Sequence, residues 1–454
     1  MGHHMVLTHA NTDSGADKSD ASQSRAFLSG LRGLVVICAA TCLTLSCQDA
    51  TRPRRKNLLL ITVDTLRADH LGTYGYERNT SPGIDRLAEE SVVFERAIST
   101  SSWTLPSLSS IMTSQLVSTH ACNTNDAQLS PGFDTLAEQL ASAGYWSGAI
   151  TTHIFLASKY GLDQGFSVYD DSLVADTLSE SHKAVTSQRI SDRGIAMMRE
   201  HAQDEETPWF LWLHYFDPHN VYVPHDDFIS EFGRKTPLDR YDCEIAFTDG
   251  HIARVLNTLE ELGLEEDTVV VLTADHGEEF GDHGGTGHRK TLYNEVVRVP
   301  LIIRAPGIEP RRVRESVSCV DFLPTMLQLV DVAAPPALEG RSLVDGMNGQ
   351  TLASRAILSE LGKSRWDSLI EDNWKLLRHN GGESYYLYDL DSDPGEAHDL
   401  AATRTEQVAS MSEALDALKM NGKRKATDFG VGKRVKLSKQ EQETLQELGY
   451  AGDD

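Results

Sequence analysis

The chain is short of cysteine, of positive charge and of long apolar runs, and each shortage removes a class of protein. Six cysteines occur in 454 residues, and Cys38, Cys42 and Cys47 fall in one stretch near the start. Cys122, Cys243 and Cys319 have no close partner in sequence, which excludes a disulfide framework and a thiolate zinc site and leaves buried, idle thiols. Lysine and arginine number 42 against 67 aspartates and glutamates, a formal net charge of −25. A surface this acidic excludes a general nucleic-acid binder, because phosphate backbones are held by basic surfaces. An anionic substrate would need concentrated local positive charge, such as a bound cation. No internal repeat is visible.

The main apolar stretch near the start, GLVVICAATCLTLSC (33–47), follows Arg25 and Arg32. It has the length of a signal h-region and is too short to cross a membrane. Its end, Leu-Ser-Cys, is similar to a bacterial lipoprotein signal with Cys47 as the lipidated residue, although Thr44 stands where leucine is usual. A plain signal peptide or an uncleaved anchor is the alternative reading; in each case the expected location is the bacterial cell envelope, periplasmic or on the outer surface, with membrane contact only through an N-terminal anchor. Residues 1–56, ending in the basic linker TRPRRK, are thus set apart from the folded body.

The body reads as strands alternating with helices. NLLLITVD (57–64), YWSGAIT (145–151), PWFLWLHYF (208–216), TVVVLTAD (268–275) and RVPLIIRAP (298–306) are apolar runs that suit strands buried on both faces. SPGIDRLAEE (81–90), FDTLAEQLASAG (133–144), RISDRGIAMMREHA and YDCEIAFTDGHIARVLNTLEELG (241–263) suit helices. Alternation of this kind implies an α/β sandwich around a mostly parallel sheet over 57–345. Beyond it, 346–454 shows short alternating stretches with turns at Gly381-Gly382 and Asp393-Pro394-Gly395, expected to form a small antiparallel sheet with a C-terminal helix. The basic segment Lys419–Lys439 reads as a solvated tail.

Chemistry gathers at strand ends. TADHGEEFGDHGGTGH (273–288) follows an apolar run, and Asp64 ends the first strand. Parallel sheets place ligands at the carboxyl edge of their strands, so Asp64, Asp275 and His276 can share one metal ion. SSWTLPSLSSIMTS (101–114) begins a helix near Pro106. Thr104 then lies beside a helix N-terminus, either as an ordinary cap or as a nucleophile whose alkoxide a metal holds.

Taken in order, NLLLITVDTLRADHLGTYGY, the TLPS helix, WFLWLHYFDPH, TADHGEEFGDHG, TLYNEVVRVPLIIRAPG, CVDFLPTMLQLV, YYLYDLDSDPGEAHDL and the closing ELGYAG resemble the sulfatase family of the alkaline phosphatase superfamily. The resemblance implies a large α/β domain around a mixed sheet, then a smaller four-stranded domain with a helix. It also implies roles, several of them altered here. The first metal aspartate falls on Asp64, the usual second is Thr65, and the later Asp-Asn pair becomes Asp275-His276. The (C/S)-x-P-x-R pattern that yields formylglycine reads Thr104-Leu105-Pro106-Ser107-Leu108, so no formylglycine is expected, and a Lys-x-His motif falls on Thr151-Thr152-His153. His214 and His219 match histidines of the central strand end, with His288, Arg289 or Lys290 near the last anion-binding position.

An imidazole among the ligands suits zinc or manganese better than calcium or magnesium, so one such ion is expected on Asp64, Thr104, Asp275 and His276. A second ion on Asp217 and His219 is a weaker alternative. The resemblance implies Thr104 as nucleophile, His153, His214 and His288 as proton-bearing or oxygen-binding groups, and His219 and Lys290 as substrate contacts. The implied function is metal-dependent hydrolysis of sulfate-type or phosphate-type esters, with a small anionic ester or a sulfated or phosphorylated glycan as substrate and no nucleic acid. A phospho-head-group transferase, or a phosphodiesterase or phosphonate hydrolase of the same superfamily, is the alternative. An inactive binder of sulfated glycans would explain the missing Cys, Arg and Lys but not the retained Asp64, Thr104, Asp275 and His276.

Overall fold

Seven consecutive buried residues, Asn57–Val63, form β1 near the centre of an eight-stranded sheet. The computed structural model describes residues 55–180, 185–204, 206–362 and 365–450, so the signal-like stretch and Cys47 lie outside it. The remaining strands are β2 (Val92–Ile98), β3 (Trp146–Ile150), β4 (Val168–Asp170), β5 (Trp209–Tyr215), β6 (Thr268–Ala274), β7 (Arg298–Arg304) and β8 (Arg311–Ser318). They lie in the order β8-β2-β7-β6-β1-β5-β3-β4. Strand β7 runs against both neighbours, and all other pairs are parallel. Every residue of β1, β5 and β6 is buried, as expected for central parallel strands covered on both faces.

Helices α1 (Pro82–Glu89) and α3 (Ser187–His201) both pack on α4 (Pro237–Glu261). Helix α2 (Thr104–Thr113) groups with the helices Leu136–Ser142 and Phe322–Leu329. Helix α4 begins four residues before the stretch that its apolar spacing marks. Thr236 accepts from the Asp239 amide while Asp239 caps the Thr236 amide, and Pro237 fills the first turn. Strands β2 and β8 were not expected from the sequence. Both carry charged residues (FERA in β2, RRVRES in β8): β8 is an edge strand, where charge resists further pairing, and in the interior strand β2 the charges fall at the irregularity between Phe94 and Ala97.

The expected small sheet is present as β9 (Ile357–Leu361), β10 (Trp366–Glu371), β11 (Trp374–His379) and β12 (Ser384–Asp389), antiparallel in sequence order. Gly381 and Gly382, with φ of 68° and 112°, make the turn into β12. Helix α5 (Thr405–Phe429) covers this sheet, with Met411 and Leu415 against Leu358, Leu369, Leu376 and Leu387. Part of the basic segment read as solvated is ion-paired. Lys419 meets Asp367 and Glu360, Lys425 meets Glu339, and Arg434 meets Asp126. After a short helix α6 (Lys439–Leu445), the chain makes one more turn, Gln446–Tyr450, and drives Tyr450 into the interior. Cys122, Cys243 and Cys319 are free and buried.

Candidate active site

Strand register sets the site. Val63 pairs with Ala274 on one side and Tyr215 on the other, so the carboxyl ends of β1, β5 and β6 finish level. Asp64, Asp275 and His276 emerge there, fully buried, with one ligand atom each lying within 4.8 Å of the others. His276 Nε2 stands 3.5 Å from Asp64 Oδ1 and 3.5 Å from Asp275 Oδ2. Its Nδ1 lies 2.9 Å from the Gly277 carbonyl, so in the neutral ring Nδ1 donates and Nε2 presents its lone pair. Asp275 Oδ1 accepts from the Thr65 amide at 3.3 Å and the His276 amide at 2.9 Å. Asp275 Oδ2 and both Asp64 oxygens accept no hydrogen bond from any described residue.

Thr104 is the first residue of α2, and the capping position belongs to Trp103, whose side chain makes no cap bond. The Thr104 hydroxyl is therefore not an N-cap. It lies 3.5 Å from His276 Nε2, facing the carboxylates. His214 closes the other side, with Nε2 3.5 Å from Asp64 Oδ2. Its Nδ1 is 2.8 Å from the Thr62 hydroxyl, which accepts the Trp212 indole N–H at 2.9 Å. His153 Nε2 is 4.0 Å from Asp64 Oδ2, and its Nδ1 accepts the Phe155 amide, which leaves the ring hydrogen on Nε2. His219 has the opposite tautomer, because Nδ1 donates to the Asn220 carbonyl. His288 Nδ1 lies 3.0 Å from the buried Glu278 carboxylate.

Burial controls the charges. It pushes the Asp64 carboxyl well above its ordinary value, with Asp275 adding to the effect. It pulls His219 down to about 3 and His214 to about 4, and holds His153 and His288 well below the usual imidazole range. At His276 the burial cost is outweighed by Asp275 and Asp64, and the pKa lies above the ordinary value. Three buried carboxylate oxygens without donors, beside an imidazole lone pair, fit a divalent cation. Asp64, Asp275 and His276 are the residues that could hold it. Among the described residues this is the one cluster of its kind.

One expectation changes. Asp217, considered for a second ion, is spent at the start of α3, where it accepts from the Thr186 and Ser187 amides and the Ser187 hydroxyl. Thr65 turns its hydroxyl to the Pro218 carbonyl, away from the cluster. Lys290 is exposed at the rim of a cleft of about 470 Å³ whose walls include Tyr222, Phe280, Leu238, His288 and Leu448. Sequence reasoning missed two groups. Glu278 sits inside the quoted acidic loop and orients His288. Tyr450 reaches the site from the far end of the chain, its hydroxyl 3.0 Å from His288 Nε2, 3.3 Å from His219 Nε2 and 3.4 Å from His153 Nε2. Its only local signal was the closing ELGY.

Comparison with known proteins agrees with this layout. The sulfatase family profile matches residues 56–332, and that of the N-sulphoglucosamine sulphohydrolase C-terminal region matches residues 281–421. The uncharacterized sulfatase YidJ of Escherichia coli (strain K12) is 25% identical over 417 residues, covering 76% of this chain and 83% of that one. Choline-sulfatase of Rhizobium meliloti (strain 1021) is 22% identical over 426 residues, covering 76% of this chain and 82% of that one. In fold, the phosphonate monoester hydrolase of Agrobacterium radiobacter superposes with a TM-score of 0.67 at 19% identity, covering 81% of this chain and 96% of that one. With the family profile spanning the sheet, α2 and the carboxylate–imidazole cluster alike, the chain belongs to the sulfatase family.

Proposed function

We propose that the protein is a metal-dependent ester hydrolase in which Thr104 is the nucleophile and esters of phosphorus are preferred to esters of sulfur. One observation carries this: the Thr104 hydroxyl is turned into the pocket, 3.5 Å from His276 Nε2, among carboxylate oxygens that lack donors. A divalent ion held by Asp64, Asp275 and His276 would offset their charge and make a neighbouring hydroxyl more acidic. Thr104 also sits at the N-terminus of α2, where the helix dipole favours an anion. His153 offers a hydrogen on Nε2 to an oxygen of the bound ester. His219 and His288 present Nε2 lone pairs. An anionic ester beside them favours their protonated forms, and either can pass its proton to the departing oxygen.

The preference follows from threonine itself. A formylglycine hydrate carries two hydroxyls on one carbon, so after one is sulfated the other can expel sulfate by re-forming the aldehyde. Thr104 has one hydroxyl, and its ester must be opened by attack at the central atom. That favours phosphoryl or phosphonyl groups, and a phosphonate monoester hydrolase stands among the fold neighbours. Thr104→Ala is expected to lower kcat by at least about a hundredfold, as for other lost transition-state groups. Across aryl sulfate, phosphate monoester, phosphodiester and phosphonate monoester, the highest kcat/KM is expected for a phosphodiester or phosphonate. A fully active Thr104→Ala protein, or a wild type that cleaves sulfate esters alone, overturns the proposal.

A further inference from the structure

Between the end of β2 and Thr104 the chain reads Ser99-Thr100-Ser101-Ser102-Trp103, and from Ser99 to Thr104 no residue is more than 1% exposed. Serine and threonine are too small to anchor a turn by packing, so here each hydroxyl holds it through a hydrogen bond. The four hydroxyls go to four different places. Ser99 Oγ donates to the Asp275 carbonyl at 2.6 Å and Thr100 Oγ1 to Ser110 Oγ in α2 at 2.8 Å. Ser101 Oγ donates to the Glu360 carbonyl at 2.8 Å and Ser102 Oγ to the Thr291 carbonyl at 2.9 Å. One buried stretch therefore grips a residue of the carboxylate–imidazole cluster and delivers Thr104 to within 3.5 Å of His276 Nε2.

The bond to Glu360 is one of three from the small sheet. Strand β9 is an edge of that sheet. Beside the bond that its carbonyl accepts from Ser101, the Glu360 amide donates to the Thr100 carbonyl at 2.8 Å. Ser359 Oγ donates to the Ser99 carbonyl at 2.6 Å, with both residues buried. Covering an open strand edge protects a sheet wherever it occurs. What sets β9 apart is where its bonds land. All three fall on Ser99, Thr100 and Ser101, just ahead of Thr104, and Ser99 takes a bond from β9 at its carbonyl while its hydroxyl holds Asp275.

We propose that Ser359 and the Glu360 backbone are positioning groups for the reaction: the small C-terminal sheet clasps the Ser99–Ser102 stretch and so fixes the Thr104 hydroxyl relative to Asp275 and His276. This rests on the cluster being an ester site. Neither Ser359 nor Glu360 is placed to touch an ester; both act through the stretch they hold. A displacement of about 1 Å in a reacting group can cost about a hundredfold in rate. Ser359→Ala removes one of the three bonds and leaves the buried Ser99 carbonyl without that donor.

Ser359→Ala and Ser101→Ala each cut the clasp. Leu387→Val is the reference, because it trims the core between the small sheet and α5 without touching the stretch. The full-length protein is assayed with an aryl phosphodiester and an aryl sulfate as probes. Each clasp variant should lower kcat at least about tenfold while KM and bound metal stay at the wild-type level. Leu387→Val should lower Tm by as much and keep the wild-type kcat. Amide hydrogen exchange over residues 99–104, measured without substrate, should rise at least about fivefold in Ser359→Ala and stay unchanged in Leu387→Val. Full kcat in Ser359→Ala, or an equal loss in Leu387→Val, overturns the proposal and leaves the three bonds as a stabilising cover. A fully active Thr104→Ala protein in which Ser359→Ala still slows turnover refutes the nucleophile but keeps the clasp, acting through Asp275. If neither probe is cleaved, the ester reading falls and exchange alone decides, an unchanged rate over 99–104 in Ser359→Ala removing the clasp as well.

Discussion

Asp275→Asn separates electrostatic roles from structural ones, because the substitution keeps every hydrogen bond the carboxylate makes. Oδ1 still accepts from the Thr65 and His276 amides, and the new Nδ2 replaces an oxygen that has no donor and faces the His276 lone pair at 3.5 Å. What changes is one buried negative charge. The ligand oxygens of Asp64 and Asp275 lie within 4.8 Å, so their repulsion at an effective dielectric of 20 is about 3.5 kcal/mol. In chelator, at a pH above the raised His276 pKa so that the ring is neutral, the variant should therefore be more stable than the wild type, by roughly 4 °C in Tm for a body of this size. With zinc or manganese the order should reverse. A ligand at a thousand times its Kd adds about 4.1 kcal/mol to the wild type, more than the repulsion it offsets, and the variant has lost one of the three ligands. Differential scanning fluorimetry with and without chelator, together with elemental analysis, reads both halves. Equal melting temperatures in chelator, or the same metal response in both proteins, would refute the reasoning.

Two further outcomes are expected. His120, outside the catalytic cluster, is buried with a pKa pulled down to about 3. Its folded value lies below its unfolded value, so its contribution is complete above about pH 6.5 and is lost as pH falls toward 3, at about 1.4 kcal/mol per pH unit. Denaturation midpoints for His120→Gln should show a shallower loss between pH 6.5 and 4.5, and an identical slope would count against it. Export with lipid attachment at Cys47 should appear as membrane fractionation and lipid labelling that Cys47→Ser abolishes, and a cytoplasmic protein that keeps residues 1–50 would show the address to be misread.

The strands that carry the site were legible because central parallel strands are buried on both faces and so spell continuous apolar runs, as in LLLITV and TVVVLTA. Their ends then marked Asp64, Asp275 and His276 without knowledge of any contact. Charged strands β2 and β8 gave no such signal. Asp217 was legible as a carboxylate but not as a cap, since Thr186 and Ser187 lie some thirty positions away. Tyr450 was hidden for the same reason on a larger scale. Its contacts to His288, His219 and His153 span 162, 231 and 297 positions, and no local pattern encodes a return of that length.

The level finish of β1, β5 and β6 makes the sheet a ruler, and it shapes how this chemistry can change over evolutionary time. The pairing that keeps Thr62 opposite both His214 and Thr273 is made by backbone groups that nearly any residue supplies. Substitution at an edge position can thus exchange a carboxylate for an imidazole and leave the scaffold untouched. Length is a different matter. Side chains alternate faces along a strand, so deleting one residue within β5 would put Leu213 or Tyr215 where His214 stands and turn the imidazole toward the opposite helix layer. Lineages of this fold should therefore diversify their chemistry by replacing residues at the strand ends, and confine insertions and deletions to the loops beyond them.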